Sequence, residues 1–212
     1  MKTPIVLGAV LLQAACSSAI RPTTQPNAPM SVPAVTTNAA AIEKARADSA
    51  RLPYTEADVH FMTMMIGHHG QAVKVAGWAA THGASPAVQR LADRIINGQQ
   101  DEITLMQQWL IDRRKPVPTP EDLVQHHHMM AGMLTEAQLQ QLDAARGTEF
   151  DRLFLTFMIQ HHNGAVAMAR QLFATTGAAQ DQAVYKFASD VNVDQTTEIA
   201  RMEQMLASLT TR

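Results

Sequence analysis

One pattern occurs twice in this chain, as DVHFMTMMIGHHGQA at residues 58–72 and as DRLFLTFMIQHHNGA at residues 151–165. The two leading aspartates, at 58 and 151, are 93 residues apart. A second pair of segments matches further on, at an offset of 96 residues (102 to 198): Gln99, Glu102, Ile103, Met106 and Leu110 correspond to Gln195, Glu198, Ile199, Met202 and Leu206. Matching segments in the same order indicate a duplicated unit.

Each unit is predicted to fold as a helical hairpin. Thr55 and Thr148 are candidate N-caps, because each stands three residues before an aspartate, a variant of the capping box. Gly83 and Gly177 mark the expected end of the first helix of each unit, and Pro86 suits the first turn of the next helix. The predicted helices cover residues 56–81, 86–112, 149–175 and 180–208, with a shorter one from 135 to 145.

The fold class follows from the apolar stripes of these helices. Two hairpins bury such stripes best against each other, so we predict an all-α four-helix bundle over residues 53–212. Repeat one spans 54–112, a linker with a short helix spans 113–147, and repeat two spans 148–209. With 46% hydrophobic but only 5% aromatic residues, the core must consist mainly of aliphatic side chains and methionine.

The first sixteen residues are typical of an export signal. Lys2 precedes an apolar run at 5–15, which is too short to span a bilayer. Small residues then precede Cys16, as at a bacterial lipoprotein processing site, although Gln13 departs from the usual aliphatic residue. Residues 17–52 are rich in Pro, Ser, Thr and Ala and are predicted to form a tether. We therefore expect a protein of the cell envelope or periplasm, anchored through Cys16 to a membrane.

Composition excludes several classes of function. The formal net charge of −2 provides no attraction for nucleic acid. The single cysteine excludes intramolecular disulfides and cysteine-rich metal sites. The sequence contains neither a His-Glu-x-x-His motif nor a Gly-x-Ser-x-Gly motif. We therefore expect a protein that is not an enzyme.

The repeated Met-x-x-His-His element indicates a metal site. At 100° per residue, Met65 lies angularly between His68 and His69 and one turn before them, so a thioether and an imidazole can converge. Met158, His161 and His162 repeat the arrangement. Thioether with imidazole suits Cu(I), whereas imidazole alone suits Cu(II), Zn or Ni. Of two adjacent histidines, one should face the bundle interior and the other a neighbouring helix.

Other residues complete the set of candidates. Glu102 and Glu198 could orient the histidines as hydrogen-bond partners, and so could Asp58 and Asp151, which share the helix face of the second histidine. Met62, Met64, Met106 and Met202 are predicted to fill the core, and His60 and His82 to lie at the surface. The linker offers the same donor types as an accessory metal site: His126, His127, His128, Met129, Met130 and Met133.

At these residues the chain resembles a bacterial family called domain of unknown function family 305. The motif Asp-x-x-Phe-x-x-x-Met-Ile-x-His-His-x-x-Ala, the downstream Gln-x-x-Glu-Ile-x-x-Met segments and Met-x-Gly-Met at 130–133 carry the resemblance, which covers residues 54–208. It implies a ferritin-like four-helix bundle. Some members, the CopM-like proteins, are periplasmic or secreted copper binders, which implies copper ligands here at Met65, His68, His69, Met158, His161 and His162.

Three functions remain open on the sequence. The first is copper binding, sequestration or handling in the cell envelope, with Cu(I), Cu(II) or another divalent metal as the ligand. The second is a structural or interaction module in which the histidines and methionines only pack. The third is a ferritin-like di-metal oxidase, which the sequence disfavours because no Glu-x-x-His element occurs. The sequence identifies no protein partner.

Overall fold

The computed structural model describes residues 40–44, 47, 53–126 and 130–210, with residues 124–126 and 210 described by their backbone alone. The predicted signal peptide at 1–16, Cys16 and nearly all of the 17–52 tether lie outside these ranges. So do His127, His128, Met129 and the side chain of His126. Predictions that concern them stay predictions.

The described part of the chain after residue 55 contains six α-helices. They are α1 (Glu56–Gly77), α2 (Pro86–Asp112), α3 (Pro120–His126), α4 (Glu136–Ala144), α5 (Gly147–Ala174) and α6 (Gln182–Thr210), and a short 3-10 helix, Trp78–Ala80, extends α1. The fold is an all-α bundle, as the repeat predicts. The pair α1 and α2 and the pair α5 and α6 form the two hairpins, which dock through α1 and α5. None of the described helices is long and apolar enough to cross a bilayer.

Local signals at the helix ends mostly act as expected. Thr55 forms a capping box with Asp58, and Ser85 caps α2 with Pro86 in its first turn. Gly83 and Gly177 adopt φ values of +70° and +79°, which turn the chain between the helices of each hairpin. α3 was not expected, because the proline-rich start of the linker indicates extended chain.

The predicted N-cap at Thr148 is wrong. α5 begins at Gly147, and the side chain of Arg146 at the N-cap position makes no cap hydrogen bond. The reason is that Gly147, with a φ of +58°, turns the chain one residue earlier. Its N–H donates to the carbonyl oxygen of His82 at 2.9 Å, which ties the start of α5 to the loop after α1.

The core consists of two apolar clusters. The first includes Leu91, Ile95, Phe150, Phe154 and Leu155. The second includes Phe61, Met62, Trp109, Leu110 and Phe187. Along each of the four long helices, buried polar residues separate the segment in one cluster from the segment in the other. The bundle therefore contains a polar layer between two apolar ends.

Candidate metal centre

Four histidines form this polar layer, and none exposes more than 1% of its surface. His68 on α1 and His161 on α5 face each other across the contact between the hairpins, with ring centroids 3.8 Å apart. His69 and His162 lie beside them, each with its ring centroid 6.3 Å from that of its sequence neighbour. We call these four residues the histidine layer. The duplication thus gives the layer an approximate twofold arrangement.

The outer two histidines bind carboxylates on the partner helix of their own hairpin. Nε2 of His69 donates to Oε2 of Glu102 at 2.6 Å, and Nε2 of His162 donates to Oε2 of Glu198 at 2.8 Å. A carboxylate only accepts hydrogen bonds, so Nε2 of each imidazole carries a proton, and in the neutral ring Nδ1 keeps its lone pair. This geometry fits the predicted role of both glutamates in orienting a histidine. It also fits the prediction that, of two adjacent histidines, one faces the bundle interior and the other a neighbouring helix.

Within the described residues, ring nitrogens of His69, His161 and His162 remain available to a ligand. Nδ1 of His69 and Nδ1 of His162 are buried and have no hydrogen-bond partner among the described residues, and the same holds for both ring nitrogens of His161. A buried polar atom without a partner costs about 1–3 kcal/mol. Nitrogen atoms of this kind occur in both repeats and lie in one layer, so they suit the binding of an electron-pair acceptor such as a metal ion.

His161 is neutral at physiological pH. Burial lowers its pKa well below the ordinary value of 6.5, and the neighbouring imidazoles of His68, His162 and His69 lower it further. Only the neutral ring offers a lone pair to a metal. The imidazole of His161 is therefore already in its ligating form.

His68 connects the layer to the linker between the two repeats. Its Nε2 donates to the carbonyl oxygen of Ala131 at 3.0 Å. On the next turn of α1, Gln71 bonds the backbone of Leu134 in both directions, at 3.1 and 2.8 Å. The Met-x-Gly-Met segment at 130–133 is thereby fixed against α1.

Two glutamines belong to the same polar layer of the bundle as the four histidines, and sequence reasoning missed them as site residues. Gln99 and Gln195 are 3% and 4% exposed, and each stands three residues before a histidine-binding glutamate. Neither amide atom of Gln99, nor Oε1 of Gln195, has a hydrogen-bond partner within the described part of the chain. Their shared offset of 96 residues with the glutamates was the sequence signal that could have found them.

A cleft of about 220 Å³ between α2 and α6 leads from solvent to these residues. Glu102 and Glu198 line it together with Gln99, Gln195 and Asp194. Partial burial, and the carboxylates of Glu102, Asp190 and Glu198, raise the pKa of Asp194. Arg94 also lines the cleft and pairs with Glu198 at 3.7 Å. The three carboxylates of the lining outnumber this one guanidinium, and the excess of negative charge attracts cations to the mouth of the cleft.

Met65 and Met158 lie in different apolar clusters. Met65, which is fully buried, packs in the second cluster, and Met158, 1% exposed, packs in the first. Each adjoins the histidine layer from one side. The predicted convergence of thioether and imidazole on one ion stays a prediction. The methionines expected in the core are buried: Met62, Met106 and Met202 fully, and Met64 with 5% of its surface exposed.

Asp58 and Asp151 are not partners of the histidines, which corrects the prediction. Oδ1 of Asp58 accepts the N–H of Ala179 at 2.7 Å, and both carboxylate oxygens of Asp151 accept the N–H of Ser85, at 3.1 and 3.2 Å. Each aspartate thus holds the interhelical turn of the other hairpin. They occupy the face predicted from helical periodicity, but about three turns of helix separate them from the layer.

The remaining candidates are distributed along the chain. Met130 is 6% exposed, Met133 is half-buried, and His60 is exposed. The prediction that His82 lies at the surface is wrong, because it is 5% exposed. Its Nε2 bonds the backbone oxygen of Asp143 at 3.0 Å, and its ring stacks on Trp78 with centroids 5.8 Å apart.

Within the described ranges, no group of three or more His, Cys, Asp and Glu side chains is arranged to hold a metal ion. The available donors of the layer are single imidazole nitrogens, because the glutamates are already bonded to Nε2. A small set of imidazole nitrogens suits copper better than an ion that needs several oxygen ligands, and the thioethers of Met65 and Met158 in the two adjoining clusters favour its monovalent form.

These features define an all-helical bundle, built from two hairpins, with a buried histidine layer at its centre. Residues 58–206 match the family model of the domain of unknown function DUF305. The chain belongs to the DUF305 family.

Solved structures with the same fold include three that are informative. A Deinococcus radiodurans DUF305 fragment is 30% identical, with a TM-score of 0.63 over 74% of this chain and 99% of that one. A Streptomyces coelicolor DUF305 protein, inferred to be secreted, is 27% identical, with a TM-score of 0.63 over 73% and 94%. CopM in its Cu(II)-bound form is 33% identical, with a TM-score of 0.59 over 71% and 96%. CopM structures also exist in Cu(I)-bound, silver-bound and apo forms. No curated protein matches the sequence.

Proposed function

We propose that the histidine layer binds copper in its monovalent form, and that the chain sequesters or hands over this ion in the cell envelope. The observation that carries the proposal is the set of buried imidazole nitrogens without a hydrogen-bond partner among the described residues, on His69, His161 and His162. His161 is held neutral by burial, so its lone pair is available without loss of a proton. The role is binding rather than catalysis.

The residues that surround the four histidines support the same function. Glu102 and Glu198 fix the tautomer of two ligands in the way that carboxylates do in protein metal centres. The acidic cleft between α2 and α6 gives a cation access to the layer. CopM, which shares the fold at 30–33% identity, has been solved with Cu(I), Cu(II) and silver.

The cellular location belongs to the same proposal. The apolar run at 5–15 and the small residues before Cys16 support export and lipid attachment. The Streptomyces coelicolor relative, inferred to be secreted, is consistent with export. Replacing Cys16 with Ser should move the protein from the membrane fraction to the soluble fraction of the envelope.

The decisive experiment measures thermal unfolding of the purified protein with Cu(I), Ag(I), Cu(II), Zn(II) or no metal. An ion that binds only the folded state stabilises it by about 2.7 kcal/mol at a hundred times its dissociation constant. We expect Cu(I) and Ag(I) to raise the midpoint, and His69→Gln/His162→Gln to abolish the increase. His82→Gln is the control, because His82 is buried outside the layer. If no ion raises the midpoint, the histidines only pack, and the alternative of a structural or interaction module replaces copper binding.

A further inference from the structure

A second group of soft ligands lines a cleft on another side of the bundle. This cleft, of about 400 Å³, lies between α1, α5 and the segment at 130–131. Met64, Met130 and Met168 border it, and His60 stands at its edge. We call these four residues the methionine cleft. It shares no lining residue with the acidic cleft between α2 and α6.

The environment of these methionines differs from that of core methionines. Met62, Met65, Met106 and Met202 are fully buried in the apolar clusters, where methionine fills irregular gaps. Met64, Met130 and Met168 instead border a space that opens to solvent. Met168 is half-buried, whereas Met64 and Met130 are only 5% and 6% exposed. All three side chains therefore line a space large enough to admit a small ion.

The chemistry of the lining selects the ligand. The described residues that line the cleft include no carboxylate, ammonium or guanidinium group; the polar ones besides His60 are Gln171 and Thr175. Thioether sulfur is a soft ligand that binds Cu(I) and has little affinity for Zn(II), Mg(II) or Ca(II). His60 and Met64 are four residues apart on α1, so their side chains lie on one face of the helix.

The backbone that carries Met130 is held in place. Gly132 has a φ of +77°, and the segment lies so close to α5 that a Cβ at Gly164 would come within 2.1 Å of the carbonyl oxygen of Ala131. The same carbonyl oxygen accepts the hydrogen bond of His68 at 3.0 Å, which also holds this peptide in place. Binding of a ligand at the cleft therefore costs little conformational entropy in this segment.

We propose that the methionine cleft is a separate binding site for a soft monovalent cation, Cu(I) or Ag(I). This site goes beyond the histidine layer and does not depend on it for ligands. Ala131 lines the cleft, and its carbonyl oxygen accepts the hydrogen bond of His68, so one residue borders both sites.

The test follows the methyl groups of methionine by NMR. The full-length protein is labelled with ¹³C at the methionine methyls and titrated with silver nitrate in chloride-free buffer. We expect the methyl resonances of Met64, Met130 and Met168 to shift together and to saturate. In Met64→Leu/Met168→Leu, the Met130 resonance should no longer shift at the same silver concentration. The control is Met205→Leu, which changes a methionine of similar exposure that lines a different cleft.

The same titration in His69→Gln/His162→Gln separates this proposal from the proposed function. The methionine cleft predicts that the three methyl shifts persist in that variant, even if the histidine layer has lost its metal. The proposal would be overturned if silver shifted only methionines outside the cleft. It would also be overturned if no methyl resonance shifted at saturating silver. Equal effects of Met205→Leu and Met64→Leu/Met168→Leu would also overturn it.

Discussion

Glu102→Gln is the substitution that most sharply tests how the histidine layer is organised. The carboxylate of Glu102 accepts the Nε2 proton of His69 at 2.6 Å. His69 is fully buried, whereas the Glu102 side chain is 22% exposed. An amide of the same shape keeps a neutral hydrogen bond but can also donate, so it no longer forces the proton of His69 onto Nε2.

The expected magnitudes follow from this geometry. A hydrogen bond to a charged group contributes about 1.5–3 kcal/mol and a neutral one about 1 kcal/mol, so Glu102→Gln should cost about 0.5–2 kcal/mol of unfolding free energy. For a domain of this size, the midpoint should fall by about 1–8 °C. Loss of a partner that orients a metal ligand lowers metal affinity by about 10–100-fold, and we expect Cu(I) affinity to fall within that range.

The assay is competition for Cu(I) against a colorimetric chelator, with thermal unfolding measured in parallel. Glu198→Gln should behave like Glu102→Gln, because the duplication gives His162 an equivalent partner at 2.8 Å. Glu203→Gln is the control, since Glu203 is an exposed glutamate on α6. Cu(I) affinity of Glu102→Gln equal to that of the wild type would refute the reasoning. A loss of affinity in Glu203→Gln as large as in Glu102→Gln would do the same.

Three further substitutions test other parts of the structure. Asp58→Ala removes the aspartate of the α1 capping box and leaves the buried N–H of Ala179 without its acceptor. It should lower the free energy of unfolding by about 2–4 kcal/mol in denaturant titrations. The Ag(I) affinity of the folded protein should stay unchanged. Gly164→Ala places a Cβ against the carbonyl oxygen of Ala131, so it should cost about 1–3 kcal/mol and weaken the silver-induced shifts of the methionine cleft in the methyl spectra. His161 has a pKa well below 6.5 in the folded state, so the unfolded state binds more protons as pH falls below 6.5 and the metal-free protein loses stability there. Its unfolding midpoint should therefore decrease between pH 7 and pH 5, and this decrease should be smaller in His161→Gln; an equal decrease in both proteins would contradict the neutral state of His161.

Local sequence determined much of this fold. The two copies of the repeat predict two hairpins, because apolar periodicity and turn residues recur in the same order in each copy. Gly83 and Gly177 are in the turns, and Thr55 caps its helix, because these roles depend on a few adjacent residues. The division of adjacent histidines between an interior partner and a neighbouring helix follows from the 100° step of the α-helix.

The features that prediction missed depend on contacts between distant segments. Asp58 and Asp151 act on the turn of the opposite hairpin, which no periodicity within one helix reveals. His82 is buried because the start of α5 and the end of α4 pack over it. The methionine cleft exists only because the segment at 130–131 folds back between α1 and α5, which requires glycine at both 132 and 164.

The most direct test of the account is a long-range ¹H–¹⁵N spectrum of the imidazole nitrogens, recorded on histidine-labelled protein with and without Ag(I). The sequence contains nine histidines, so the spectrum can be resolved residue by residue. The account predicts large shifts at His161 and at Nδ1 of His69 or His162, while the nitrogens of His82 stay unchanged. If the imidazoles of the histidine layer keep their metal-free shifts at saturating silver, the layer does not bind a monovalent cation and the central claim is wrong.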